Sequence, residues 1–301
     1  MIGVILNGRK SPSFAASMVS YLLATGDRVT AASHKAFGKY PDNQDVIAMN
    51  FDKRNSNSST VTGIDGYGGK GAKFADLLGN EMIFDDAAAA AHAVHKIALP
   101  AKHGGACYAH ARIVRNPATG KKILEPSQAG DVRILVLDTK NEVVWESPDE
   151  NLASSLVKAK ILTKDQALYD SSRNTVYSAV GTEEFTVTCH PKVELEPGFR
   201  VIIGSDGIFD NLTTNEFREK IAGLDAADII REMETVVYHR MQNYEKIRKD
   251  TGDRSAVKTY TDGYRSSPKP DNLSIAVIDI SDDDQGRGAK RSTAKGSARR
   301  K

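Results

Sequence analysis

The chain has 301 residues, 40% of them hydrophobic and 27% charged, which supplies a large core and excludes a chain too polar to fold. The formal charge of +2 is unevenly spread: Gln285 to Lys301 carries seven basic residues and no acid, so residues 1–284 carry 2 − 7 = −5. An acidic body argues against a nucleic-acid partner, the lack of a long apolar run argues against a membrane span, and two cysteines, Cys107 and Cys189, are too few for a disulfide framework; together these predict a cytoplasmic protein.

In chain order, Phe14 to Ala24 reads as a short apolar helix that lacks the basic flank and the length of an export signal. A strand then runs into Thr62-Gly63-Ile64-Asp65-Gly66, followed by the loop Gly66 to Gly71, a helix from Ala72 to Met82 and an alanine-rich helix from Asp85 to Ile97. Strands at Ala106 to Val114, Lys122 to Gln128, Asp131 to Leu137 and Val143 to Glu146, with turns at Asn116 to Gly120 and Asp138 to Asn141, read as one antiparallel meander. Asn151 to Ala159 is helical, and Thr163 with Gln166 makes a capping box for a short second helix. A further apolar strand ends at Val201-Ile202-Ile203-Gly204-Ser205-Asp206-Gly207. Helices follow at Asn215 to Ala222 and Ala226 to Asn243, parted by Gly223, and after the polar stretch Lys246 to Pro270 the last strand runs from Asn272 to Ile280. Strands and helices come in blocks, which predicts an α+β fold with antiparallel sheets.

Four carboxylates mark strand ends: Asp65 and Asp206 close apolar runs, and Asp131 and Asp271 open them. In antiparallel sheets the end of one strand lies beside the start of the next, so all four converge on one rim if the strands are neighbours. Such a cluster needs cations, and oxygen donors alone select Mg²⁺ or Mn²⁺ over zinc. Asp-Gly is also the commonest hairpin dipeptide, and Asp262-Gly263, which follows a polar stretch, is read as a turn only. Three rivals fail. Gly66 to Gly71 matches G-x-G-x-x-G but lacks the second parallel strand of a dinucleotide fold, Ala72 stands where a phosphate-binding P-loop needs lysine, and His92 with His95 has no third nitrogen or sulfur ligand at a recognisable spacing.

The blocks Asn43-Gln44-Asp45, Asp65-Gly66-Tyr67-Gly68-Gly69, Gly104-Gly105-Ala106, Gly130-Asp131-Val132-Arg133, Ser155-Leu156-Val157 with Arg173-Asn174 and Ala179-Val180-Gly181-Thr182, Leu195-Glu196-Pro197-Gly198, Ser205-Asp206-Gly207-Ile208-Phe209-Asp210 and Asp271-Asn272 follow one another in order. In this order the sequence resembles the metal-dependent protein serine/threonine phosphatases of the PPM (type 2C) family, bacterial members above all, from about Ala32 to Ile280. The resemblance implies a four-layer α-β-β-α sandwich of two antiparallel sheets flanked by helices, with residues 1–31 as an N-terminal extension, 32–281 as the phosphatase domain and 282–301 as a disordered basic tail. It also implies two Mn²⁺ or Mg²⁺ ions, Asp65 bridging both, the Gly66 carbonyl on one, Asp206 and Asp271 on the other, and Asp45 in support. Asp131, Asp206 and Asp210 match the positions of a third, weaker metal.

The implied reaction is hydrolysis of phosphoserine and phosphothreonine in proteins by a water that two metals activate. The family's phosphate-gripping arginine position holds Tyr40, with Lys39 beside it as the cation available to phosphate, and Tyr67 stands where some relatives carry a histidine. The alternative implied by the change at Tyr40 is a pseudophosphatase, which binds phosphoproteins without turnover.

Overall fold

A computed structural model describes residues 3–36, 41–50, 57–83, 86–168, 170–243 and 269–282. Lys39, Tyr40, Asp262 and the basic tail beyond residue 282 lie outside the described residues.

The first sheet holds β1 (Gly3–Leu6), β4 (Asp45–Asn50), β5 (Ser58–Tyr67), β6 (Gly105–Arg115), β7 (Lys122–Ala129), β10 (Thr188–Cys189) and β11 (Val193–Leu195), in the order β1-β4-β5-β6-β7-β10 with β11 also on β7. The second holds β2 (Val19–Leu22), β3 (Arg28–His34), β8 (Arg133–Leu137), β9 (Val143–Glu146), β12 (Arg200–Gly204) and β13 (Leu273–Asp279), in the order β2-β3-β13-β12-β8-β9. All pairings between these strands are antiparallel.

The central strands read as continuous apolar runs because both of their faces are covered. Ile47, Met49 and Val61 of the first sheet meet Ile134, Val136, Val201 and Ile203 of the second in the inner core. The alternate residues face outward. Val46, Ala48 and Ile64 pack under α1 (Gly71–Met82) and α2 (Ala87–Ala98) through Phe74, Leu78 and Val94. Leu135, Ile202, Ile275 and Val277 pack under helices of the second half of the chain. After β9 come α3 (Leu152–Lys158) and α4 (Lys164–Ala167), the latter opened by the expected Thr163–Gln166 capping box, and after β12 comes α5 (Asp206–Phe209). The covering helices are α6 (Thr214–Ile221) and α7 (Ala226–Met233), and α7 continues through a π-helical turn at Glu234–Tyr238. The result is the four-layer sandwich.

Three expectations are corrected. The strands from Ala106 to Glu146 do not form one meander: β6 and β7 pair in the first sheet, β8 and β9 in the second. The chain changes sheets at Gly130, whose φ of +105° is open to glycine, and a Cβ there would fall 2.5 Å from the Cys107 sulfur. Residues ahead of 32 do not stand apart as an extension either. β1 pairs with β4, β2 pairs with β3, and Phe14 is fully buried under the second sheet while the backbone N–H of Phe14 donates to Glu234 at 3.0 Å. The stretch from Phe14 to Ala24 is a 3₁₀ turn at Ala15–Ser17 followed by β2, because the adjacent β3 supplies the hydrogen bonds that an isolated helix would have made internally.

Candidate active site

Five strand ends meet at one rim of the sandwich. From the first sheet come Asp45, the first residue of β4, and Asp65, near the end of β5; the antiparallel register sets them directly opposite each other. From the second come Asp131 ahead of β8, Asp206 after β12 and Asp271 ahead of β13, brought together because β12 pairs antiparallel with both neighbours. A cleft of about 340 Å³ opens there, walled by Asp65, Gly66, Asp131, Asp206, Lys269 and Asp271. Asp45 is not on its wall: it is 1% exposed, and its Oδ2 has no hydrogen-bond partner.

Opposed like charges repel, and burial magnifies the repulsion. Burial, then the charges of Asp206, Asp45, Asp271 and Asp131, drives the Asp65 carboxyl well above the usual carboxylate range. Burial with Asp271 and Asp206 pushes Asp45 up to about 7, and burial with Asp206 pushes Asp131 up to about 8. The donors are all oxygens, and the orphaned Asp45 Oδ2 is a buried acceptor that a hard divalent cation would satisfy; the residues fit such an ion. Among the described residues no three acidic, histidine or cysteine side chains close to metal-ligating spacing.

An ammonium stands among the carboxylates. Lys269 Nζ touches Asp206 Oδ2 and lies 3.4 Å from both Asp210 Oδ2 and Asp271 Oδ2. Burial pulls its pKa down, but Asp206, Asp210, Asp271 and Asp131 overcome that and hold it well above the usual lysine value. Sequence reasoning missed this residue. The one signal was a basic side chain two positions ahead of Asp271, between two prolines.

The glycine loop is built for close approach. The Gly66 N–H donates to the Gln44 carbonyl at 3.0 Å, Gln44 Nε2 donates to the Gly68 carbonyl at 2.7 Å, and a Cβ on Gly66 would lie 2.5 Å from the Gly71 carbonyl oxygen at the start of α1. Gln44 therefore fastens the loop. Tyr67 lines the cleft, and burial together with the Cys107 thiol pushes its phenol above its ordinary value, so it is a poor proton donor at neutral pH. Cys107, opposite Asp65 in the register, is buried and kept a thiol by burial and by the charges of Asp131 and Asp65.

Asp210, at the end of α5, faces Arg173 Nε at 3.6 Å. Beyond that pair a larger cavity of about 640 Å³ lies between α3, α4 and α6; it shares Asp210 and Arg173 with the rim but none of the five strand-end carboxylates. His92 and His95 both pack against the Phe185 ring, at centroid distances of 5.1 and 4.6 Å, away from the cleft.

No family model and no curated protein matches the chain. Solved structures do. The PPM Ser-Thr phosphatase MsPP from Mycobacterium smegmatis, in complex with cacodylate, is similar with a TM-score of 0.60 at 16% identity, over 84% of this chain and 97% of that one. The serine/threonine phosphatase Stp1 from Staphylococcus aureus gives 0.63 at 14%, over 84% and 95%, and the catalytic domain of the phosphatase PstP in complex with two manganese ions gives 0.59 at 18%, over 85% and 99%. A helix-covered pair of antiparallel sheets with an acidic cleft at one rim defines the class of architecture. Within that class, the fold of this chain is that of the PPM serine/threonine phosphatases.

Proposed function

We propose that this chain is a metal-dependent protein serine/threonine phosphatase, acting on phosphoproteins in cytoplasmic signalling. The observation that carries the reading is the meeting of Asp65 from one sheet with Asp131, Asp206 and Asp271 from the other at a single cleft, with Asp45 buried directly opposite Asp65 in the register. When bound, two Mn²⁺ or Mg²⁺ ions supply an activated water and neutralise the phosphoryl oxygens, so no covalent step on the protein is required. Asp65 would serve both ions, the Gly66 carbonyl would be a ligand to one, Asp206 with Asp271 would hold the other, and Asp45 would support the site. Asp131, Asp206 and Asp210 would take a third, weaker ion.

The chain's own residues orient and protect this set. Gln44 and the Gly66–Gly71 contact hold the Gly66 backbone in place. Tyr67 keeps its proton and does not serve as the acid. Lys39 is assigned to phosphate as a point charge, without the bidentate grip of an arginine.

Hydrolysis of a phosphothreonine peptide should require Mn²⁺ or Mg²⁺, stop on chelation and gain little from zinc. Asp65→Asn and Asp206→Asn should each lower turnover by about a hundredfold or more with an unchanged circular dichroism spectrum. Full turnover in metal-free buffer would refute the reading. Lys39→Ala should raise KM with little change in kcat.

A further inference from the structure

Lys269 is fixed in a way that a loose surface lysine is not. Its backbone N–H donates to Asn211 Oδ1 at 2.8 Å, its carbonyl accepts from Asn211 Nδ2 at 3.0 Å, and the same Asn211 Nδ2 donates to the Gly207 carbonyl at 2.8 Å. Asn211 is fully buried. The Lys269 backbone is thereby tied to α5, the element that begins with Asp206 and precedes Asp210, while its four-carbon stem leaves the ammonium free to swing without moving that backbone. The ammonium reaches Asp206, Asp210 and Asp271 at once. Those are the oxygens assigned above to the second ion, through Asp206 and Asp271, and to the third, through Asp206 and Asp210. A divalent cation competes with the ammonium, which is hydrogen-bonded to Asp206 Oδ2 and paired with one oxygen each of Asp210 and Asp271.

We propose that Lys269 is a resident counter-cation: it holds Asp206, Asp210 and Asp271 together in the metal-free protein, and a divalent ion enters by displacing it. The inference rests on the metal-centre reading above. Without a cation, three carboxylates gathered at one buried rim repel one another, and one positive charge relieves part of that repulsion. Mn²⁺ brings two charges to the same oxygens and outcompetes the lysine, but its net affinity is lowered by what it must displace. Metal affinity is then set by a competition within the chain as well as by the ligands. The ammonium, once displaced, stays tethered at the mouth of the cleft.

The test compares Mn²⁺ binding by the metal-stripped full chain and by Lys269→Met, which keeps the length of the stem and removes the charge. Titration calorimetry should show binding to Lys269→Met tighter by about tenfold or more, because the internal competitor is gone. The melting temperature of the metal-free variant should fall below that of the metal-free wild type, while the Mn²⁺-loaded forms melt close together. Lys269→Gln, which can still donate a hydrogen bond to a carboxylate, should also bind Mn²⁺ more tightly than wild type, and it decides the matter if Lys269→Met does not fold. Unchanged or weaker Mn²⁺ affinity in the neutral variants would overturn the counter-cation role and leave the metal centre standing. Failure of wild type and variants alike to bind Mn²⁺ would overturn the metal centre itself.

Discussion

His110 lies in the middle of β6, 2% exposed, with Nδ1 2.7 Å from the Thr62 hydroxyl across the strand pair and Nε2 without a hydrogen-bond partner. Burial, aided by the charge of Arg112, lowers its pKa to about 4. In the unfolded chain the imidazole takes up a proton near its ordinary value of about 6.5, well before the buried ring can do so. The folded pKa is the lower of the two, so the unfolded state binds more protons between these values. Stability is therefore fully present above pH about 6.5 and is lost as pH falls towards 4, by up to about 3 kcal/mol from this residue alone. His110→Asn, which keeps an acceptor or donor near Thr62 but does not titrate, should flatten the fall in urea-unfolding free energy between pH 7 and pH 5. An equally steep fall in the variant would assign the acid sensitivity elsewhere.

Among the elements, α5 and the start of β13 are pressed together through Gly207: a Cβ there would lie 1.8 Å from the Asn272 carbonyl oxygen. Gly207→Ala must push α5 off the strand and part Asp206 from Asp271, so we expect Mn²⁺ affinity to fall by about tenfold, with a folding cost of about 1–3 kcal/mol. Calorimetry and chemical denaturation on the same sample separate the two effects. The strands that build this rim were legible in the sequence because apolar runs ending in Asp65 or Asp206, or starting after Asp131 or Asp271, carry their own boundaries, and antiparallel pairing does the rest. The Thr163–Gln166 cap was legible too, since its partners are three residues apart; Thr213 caps α6 through Glu216 at the same spacing, so the helix starts at Thr214, one residue before the start read at Asn215. What was not legible depends on distant partners. β1 finds β4 more than forty residues on, the chain switches sheets at Gly130 with no change in hydropathy, and Lys269 meets Asp206 across 63 positions.

At the scale of the molecule, the end of the sandwich remote from the cleft is closed by a buried ion pair. Lys122 Nζ, at the start of β7, donates to Asp27 Oδ1 at 2.7 Å and to the Ser281 carbonyl at 3.0 Å; the lysine and aspartate side chains are 4% and 0% exposed. Asp27 opens β3, Ser281 follows β13, and Lys122 belongs to the other sheet, so this pair ties the two sheets together. Lys122→Met should cost about 3–5 kcal/mol in denaturant unfolding because it strands a buried carboxylate, and adding Asp27→Asn should recover part of that loss. β13 runs the length between this tie and the acidic rim, where Asp271 lies two residues ahead of its start. The sandwich is thus built like a book: a permanent spine at Lys122, and at the open edge two covers whose facing pages, Asp45 with Asp65 and Asp131 with Asp206 and Asp271, carry like charges that repel. Lys269 reaches carboxylates of the second cover alone, so a divalent ion that also takes Asp65 would be what fastens cover to cover, and looseness under chelation should grow from the rim inward while the spine stays shut.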